Sequence, residues 1–485
     1  MKLFLAGLGI LIAGYFVYGK IVRAIIQPDD RPTPALTDTD NVDFMVLPNW
    51  KNMLIQLLNI AGIGPVIGVI TGILFGDVVF IIIPIGCVLM GAVHDYVAGM
   101  MSMRHKGANL TELVRLTAGK HIYRIFSVFL LLALLLVVAV FINIPAALSA
   151  GLAGGGNSAF YWSVGIIFVY YICATLFPVD KIIGRVYPVF GALLLLGTVA
   201  LFVSLMISAG QDPQLLSESA AFRSKMFTAA NNKPILPMLF VTIACGILSG
   251  FHATQAPIVA RTIRSEKQGF GVFFGMMVVE GFIAMVWAAG AMAIYNQFPE
   301  LLGTNANGVL AQIANHFLYG NLSTVVVVSV IVLAITSGDT AMRSLRLSVA
   351  EMFHIDQKPI LPRLLLVVPL IALTLLLLYW SNANSDSFQK LWTYFAWSNQ
   401  VIAAFALLAG SIYLCSIKRP AFITIIPGAF ITFVVLTYIL WISPAHGGPV
   451  GFGLDLHDAY MISGFLTVIT FVWAKFRGEE VTLNK

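Results

Sequence analysis

The chain has 485 residues, of which 59% are hydrophobic and 10% charged, far from the roughly 25% charged content of a soluble domain. This composition excludes an ordinary soluble protein, and apolar runs of helical length without strict alternation exclude a β-barrel, leaving an all-α integral membrane protein. The net charge of +6 is read as the Lys/Arg excess that orients membrane proteins, not as a nucleic-acid footprint, so lipid is the expected partner and nucleic acid is not.

The opening MKLFLAGLGILIAGYFVYGK joins a positive end to an apolar stretch. No small-residue cleavage pattern follows Tyr18, Gly19 and Lys20, so the segment is expected to stay as a first spanning helix. Hydropathy and turn residues predict helices at about 3 to 19, 53 to 76, 78 to 103, 125 to 149, 159 to 178, 187 to 209, 235 to 259, 270 to 295, 322 to 340, 364 to 381, 391 to 415, 421 to 443 and 459 to 475, thirteen in all. The connection QPDDRPTPALTDTDNVDFMVLPNW, within a linker at 20 to 52, is Pro and Asp rich and is expected to lie irregularly on the cytoplasmic face. No second soluble domain is visible, and Cys87, Cys173, Cys245 and Cys415 lie in apolar runs without disulfide or zinc spacing.

The charges test the helix count. With the N-terminus outside, the alternate loops and the tail assigned to the cytoplasm hold 23 of the 28 Lys and Arg, and the other side holds 5. A wrong count in mid-chain would scramble that asymmetry. The expected topology therefore places Ser158 outside and Ser265 and Lys485 inside.

Interrupted helices point to a site. The second predicted helix, QLLNIAGIGPVIGVITG, carries Asn59, Gly62, Gly64 and Pro65, and five helices later SGFHATQAPIVART carries Ser249, Gly250, His252, Gln255 and Pro257 before Arg261. Proline lacks an N–H and crowds the preceding turn, which frees carbonyls that lipid cannot satisfy. Matched breaks in helices of opposite direction mark inverted-repeat carriers. The spacing predicts one N-terminal helix, repeats at 53 to 209 and 235 to 415, and C-terminal helices over 421 to 475. Unwound backbone is expected at about Gly62 to Pro65 and Gly250 to Pro257, near the bilayer midplane.

Other polar residues fall inside apolar runs. His94 and Asp95 sit in GAVHDYVAG, among small residues that admit a close neighbouring helix. They read as a proton relay or substrate contact, or as a helix-to-helix hydrogen bond. His252 lies one turn from Ser249 and from Gln255 and titrates near neutral pH. Glu280 in VVEGFIAM falls in the middle of the eighth predicted helix, where a carboxylate needs an opposite charge or a proton, and is a candidate coupling site. Thr336, Ser337 and Asp339 offer oxygens of the kind a small cation takes, which makes Thr336 and Ser337 a candidate sodium site; Asp339 has Arg343 one turn on as an alternative partner. A metalloenzyme built from His94, Asp95 and His252 lacks HExxH-like spacing, and no phosphate-binding loop is present. No catalytic residue and no cofactor beyond a coupling proton or sodium ion are expected.

Two long blocks, GAVHDYVAGMMSMRHKGANLTELV at 91 to 114 and ACGILSGFHATQAPIVARTI at 244 to 263, resemble the carbon starvation protein A (CstA) family, with IGPV at 63 to 66 and TSGDTAMRSLRL at 336 to 347 in support. The resemblance implies a fold similar to the LeuT-type inverted-repeat carriers and an inner-membrane uptake protein. It implies transport of peptides, or in some relatives of pyruvate together with protons. Family-typical residues would include Gly64, Pro65, His94, Asp95, His252, Gln255 and Pro257. The chain is expected to be shorter than the longest members, with a reduced C-terminal portion. Secondary uptake of peptides is the expected function, with a pyruvate-like carboxylate as the nearest alternative and a channel or a membrane sensor as alternatives of other classes.

Overall fold

The computed structural model describes the chain apart from residues 41–42, 177–178, 231, 304–305, 319, 358, 384 and 482–485; at 175, 176, 179–188, 385 and 386 it describes backbone alone. Among the described residues the protein is helical, with a single isolated bridge between Pro32 and Ser265 as its only β-type pairing. Helices satisfy their own backbone groups, which is what a chain in hydrocarbon requires.

Among the described residues eleven helices are long and apolar enough to cross a membrane: Lys2–Ile26, Val79–Arg104, Lys120–Leu152, Asn157–Ala174, Val189–Gln211, Glu266–Gln297, Asn321–Met352, Ile360–Ser381, Ser387–Ser416, Phe422–Trp441 and Leu456–Glu480. A twelfth crossing consists of Asn49–Ile60 and Gly64–Phe75, bent by 50°. The remaining predicted segment is in three pieces, Ile235–Thr242, Ala244–Ile247 and Gly250–Ala260. In chain order these are spans 1 to 13, with the bent pair as span 2 and the three-piece segment as span 7. The end of span 5 expected at 177 to 178 lies outside the described residues.

Burial separates an inner set from an outer one. Spans 3, 8, 9 and 11 are mostly buried, whereas spans 1, 5, 6, 10 and 13 turn most of their apolar windows outward. Span 9 packs along span 4, and Gly250–Ala260 lies between the second half of span 3 and span 11. Spans 12 and 13 pack on each other and on span 11. Exposed Trp162, Tyr379 and Phe465 belong to the outer set, where the solvent for a side chain is lipid.

Hydrogen bonds between loops sort them into two faces. On one, Thr33 Oγ1 donates to Ile263 O at 2.6 Å, Asn109 Nδ2 to Glu351 Oε2 at 2.7 Å, and Arg477 Nε to Thr117 O at 3.3 Å. On the other, Asp77 N donates to Glu218 Oε1 at 2.9 Å, Asn296 Nδ2 to Leu215 O at 2.9 Å, and Tyr394 OH to Val450 O at 3.4 Å. The first group joins only loops and helix ends on the Lys/Arg-rich side, the second only those on the other side. A chain with an extra or missing crossing could not sort its loops this way.

The connection from span 1 to span 2 is more ordered than its composition predicts. It carries the short helix Pro34–Thr37 and docks through Met45 N to Arg261 O at 3.2 Å and Leu47 N to Thr262 O at 3.0 Å.

Candidate functional site at the crossing of two broken helices

Span 2 breaks because Ala61 leaves helical geometry at φ −75, ψ 46 and the chain restarts at Gly64 with Pro65 in the new first turn. A proline there removes only an N–H that has no helical partner. Span 7 breaks where Leu248 (φ −170, ψ 119) and Ser249 (φ −126, ψ 123) are extended. The interval Gly250 to Pro257, expected to be unwound, is helical instead. The extended pair sits just before it, where a side chain from span 11 supplies hydrogen bonds that the gap needs.

The two broken segments touch. A Cβ on Gly64 would stand 2.3 Å from Cys245 Cβ, and one on Gly68 would stand 2.9 Å from Thr242 O. Only glycine lets the backbones approach this closely.

Asp95 is the centre of the buried polar groups. Its Oδ1 is 2.8 Å from His94 Nδ1, and its Oδ2 is 3.1 Å from His252 Nδ1. His94, Asp95 and His252 are all buried. A π-helical turn at Cys87–Gly91 immediately precedes Ala92–Arg104 and sets the face on which His94 and Asp95 stand. An ionised Asp95 accepts from both Nδ1–H groups, which leaves Nε2 of a neutral His94 as a lone pair. That Nε2 is buried and has no hydrogen-bond partner. The arrangement can take up a proton without breaking either bond to Asp95. Among the described residues no group of three His, Cys, Asp or Glu is placed to hold a metal ion.

The other candidate residues are distributed around this centre. Gln255 Nε2 donates to Ser344 Oγ at 3.3 Å while its Oε1 lacks a partner, and Ser344 Oγ donates to Thr254 O at 3.0 Å, three residues before Pro257. Ser337 Oγ donates to Leu58 O at 3.0 Å and lies 3.4 Å from Asn59 O, and a Cβ on Gly62 would stand 3.0 Å from it. Thr336 Oγ1 bonds within its own helix to Leu333 O at 2.9 Å. The amides of Gln56 and Asn59 are buried without partners, as is the carboxyl of Glu280. Glu280 therefore stands apart from the His94–Asp95–His252 bonds. Asp339 accepts from Tyr170 OH at 2.6 Å, and Arg343 donates from Nη1 to Asp43 Oδ1 at 2.8 Å. Arg261 is buried at the end of its helix, donating to Gly107 O and Asn109 Oδ1, both at 2.9 Å.

Sequence reasoning missed Asn399. Its Oδ1 accepts from Phe251 N at 2.8 Å, and its Nδ2 donates to Ser249 Oγ at 2.8 Å and to Cys245 Sγ at 3.2 Å. It thus reaches both sides of the span 7 gap. Next to it, Gln400 Nε2 donates to Phe240 O at 2.6 Å. The signal was present as WSNQ at 397 to 400, a polar run within an apolar helix. Arg104 was also missed; it donates to Glu266 Oε2 at 2.9 Å and to Tyr413 OH at 3.1 Å, tying spans 3, 8 and 11 together on the basic face.

Comparison with known proteins agrees with this geometry. A structure of an Eremococcus coleocola manganese transporter aligns with TM-score 0.59 over 92% of this chain and 99% of its own, at 14% identity. A Na+-coupled sialic acid symporter aligns with TM-score 0.52 over 97% and 98%, at 13% identity. At such identities the likeness is one of fold, the LeuT-type inverted repeat. A Haemophilus influenzae "uncharacterized membrane protein" is 42% identical across 60% of this chain and 91% of its own. A Bacillus subtilis protein named peptide transporter CstA is 24% identical across 97% and 96%. One of the same name from Campylobacter jejuni is 25% identical, but this chain spans only 54% of it. The profile of the family described as carbon starvation protein CstA matches residues 1–163, 157–315 and 297–438. With its broken helices, its fold and these matches, the chain is a multi-pass membrane protein that belongs to the carbon starvation protein CstA family.

Proposed function

We propose that this protein is a secondary active transporter that imports peptides across the cell membrane, driven by an ion gradient. One observation carries the reading: Asp95 is shared by His94 on its own span and by His252 on the half-helix Gly250–Ala260. A half-helix is free to tilt as a unit, so the bond from His252 to Asp95 can open and close during an alternating-access cycle. Proton uptake by the histidines is then linked to that motion. The names of the Bacillus and Campylobacter relatives support peptide as substrate. The alternative substrate is pyruvate or a similar small carboxylate carried with protons.

A sodium ion at Thr336 and Ser337 is a second form of coupling. The hydroxyl of Ser337 and the carbonyls of Leu58 and Asn59 come together at the span 2 break, and such oxygens suit a hard cation. The charge distribution supports an outside N-terminus.

The test is uptake into proteoliposomes of di- and tripeptides and of pyruvate under imposed proton or sodium gradients. His252→Gln keeps polarity but cannot take up a proton. It is expected to lower proton-driven concentrative uptake more than counterflow exchange. Equal loss in both modes would reduce His252 to a substrate contact. Wild-type behaviour in both would remove it from the mechanism. Currents beyond carrier turnover without accumulation would indicate a channel, and no transport of any solute would indicate a sensor.

A further inference from the structure

The face opposite the basic one has a feature that the crossing helices do not account for. Only 5 of the 28 Lys and Arg lie in the loops and termini of that face, yet two of them, Lys233 and Lys390, line a single pocket of about 360 Å³. Gln389, Thr393, Tyr438 and the loop from Pro444 to Pro449 complete it, and no Asp or Glu is among its lining residues. Small-molecule sites typically run from about 300 to 1,000 Å³, so the space suits a compact solute and not a long peptide.

Tyr438 is the decisive residue. It is 2% exposed, and its hydroxyl has no hydrogen-bond partner. A buried phenol without an acceptor is costly and uncommon, so a group that accepts its proton is expected to enter the pocket. Lys233 lies beside Phe227, with Nζ 4.3 Å from the ring centroid. Burial pulls the Lys233 ammonium below the ordinary lysine range, which an incoming anion would reverse. Two cations, a buried hydroxyl donor and no carboxylate define the complement of one chemical group.

We infer that this pocket is a docking site for the carboxylate of a small solute, held between Lys233 and Lys390 with Tyr438 Oη as donor. The inference rests on the reading of the chain as an importer, for which this face is the outer one. Position supports it. Lys233 immediately precedes the outer half of span 7, Met238 of that half lines the pocket, and Gln400 ties the same half to span 11 at Phe240 O. A solute bound here contacts the outer half-helix and span 11 together, the pair that must separate or close for passage to the broken-helix site.

The test is acetylation of the full-length protein in nanodiscs with an amine-reactive reagent, read residue by residue by mass spectrometry. Millimolar alanylalanine or pyruvate should slow modification of Lys233 and Lys390 several-fold, while Lys225, exposed on the same face, keeps its rate. Alanylalaninamide, which has no carboxylate, should protect neither. Tyr438→Phe should raise the concentration needed for half-protection about tenfold, the effect of one hydrogen bond to a charged group; its elution as folded protein is checked in parallel. Protection by alanylalanine alone assigns a peptide C-terminus, and protection by pyruvate alone assigns a small carboxylate; either supports the site. Unchanged rates with both, equal protection by the amide, or unaltered protection in Tyr438→Phe overturns it. Uptake without protection leaves the transport reading standing and removes this site. Protection without any uptake does the reverse.

Discussion

The two broken helices use similar sequence devices and differ in how their polar groups are satisfied. In span 7 the gap is bridged from outside the segment: Asn399 reaches Phe251 N, Ser249 and Cys245, and His252 is joined to Asp95. In span 2 the carbonyls of Leu58 and Asn59 face Ser337, but the amides of Gln56 and Asn59 are buried without partners. Buried amides are rarely left so. One break is a cross-linked joint, and the other offers unsatisfied groups to something that binds there. This contrast supports the proposal that span 7 handles protons and moves while span 2 receives a cation or solute, with Gln255 Oε1 the one unpartnered amide oxygen on the span 7 helix.

The largest expected effect comes from cutting the joint at its centre. Asp95→Ala strands two buried histidines and should destabilise the protein by about 3 kcal/mol or more. It should appear as a lowered melting temperature in detergent and as loss of concentrative uptake; Asp95→Asn should recover much of the stability but not the uptake. Unchanged melting in Asp95→Ala would mean that the bonds to His94 and His252 are not a structural joint.

Next is Gly250→Ala. The added methyl would stand 2.2 Å from Asn399 O and 2.4 Å from Ala403 N, both backbone atoms. Overpacking of this kind costs about 1–3 kcal/mol. Gly210→Ala, with no heavy atom within 4 Å of the new Cβ, is the matched control and should not destabilise. Comparable melting temperatures for the pair would break the claim that span 11 packs tightly into the span 7 gap.

Asn399→Ala should cost about 1–3 kcal/mol, since it leaves Phe251 N unpaired. Asn399→Asp retains the acceptor and should restore part of the loss. The smallest effect is expected in span 2. Ser337→Ala removes one hydrogen bond to Leu58 O and should cost about 1 kcal/mol in the absence of sodium. If the site takes sodium, the same variant should lose any stabilisation that sodium gives the wild-type protein. Equal sodium response in both would leave span 2 as a solute contact alone.

Spans 1 to 6 and 8 to 13 were legible because their signal is local: a run of apolar residues must cross lipid, and charged residues end it. His94, Asp95 and His252 were legible as isolated polar residues in such runs, but their meeting at Asp95 was not. Asp95 and His252 are separated by 157 positions, and no periodicity reports contact across that distance. The same limit hid Asn399, whose role depends on a gap in another span. It also explains the displaced break in span 7. Pro257 marked the right helix, but the unwound residues are Leu248 and Ser249, where Asn399 supplies hydrogen bonds at the gap. Glu280 was legible in the same way, as a lone carboxyl in an apolar run, and only the fold shows that it is buried without a hydrogen-bond partner.

The sequence by itself determined the membrane class, the long apolar crossings, the two faces and the pair of segments that break. Each follows from transfer free energy along a single stretch of chain, in which every residue contributes independently of the fold. Only the tertiary structure decided where the breaks fall, which polar groups are satisfied and which are left open. A buried hydrogen bond depends on two partners whose separation is set by the packing of whole helices. Glycines at positions 64 and 68 illustrate the division: their small size is written in the sequence, but the Cys245 side chain and the Thr242 carbonyl that need the space are brought there only by the fold.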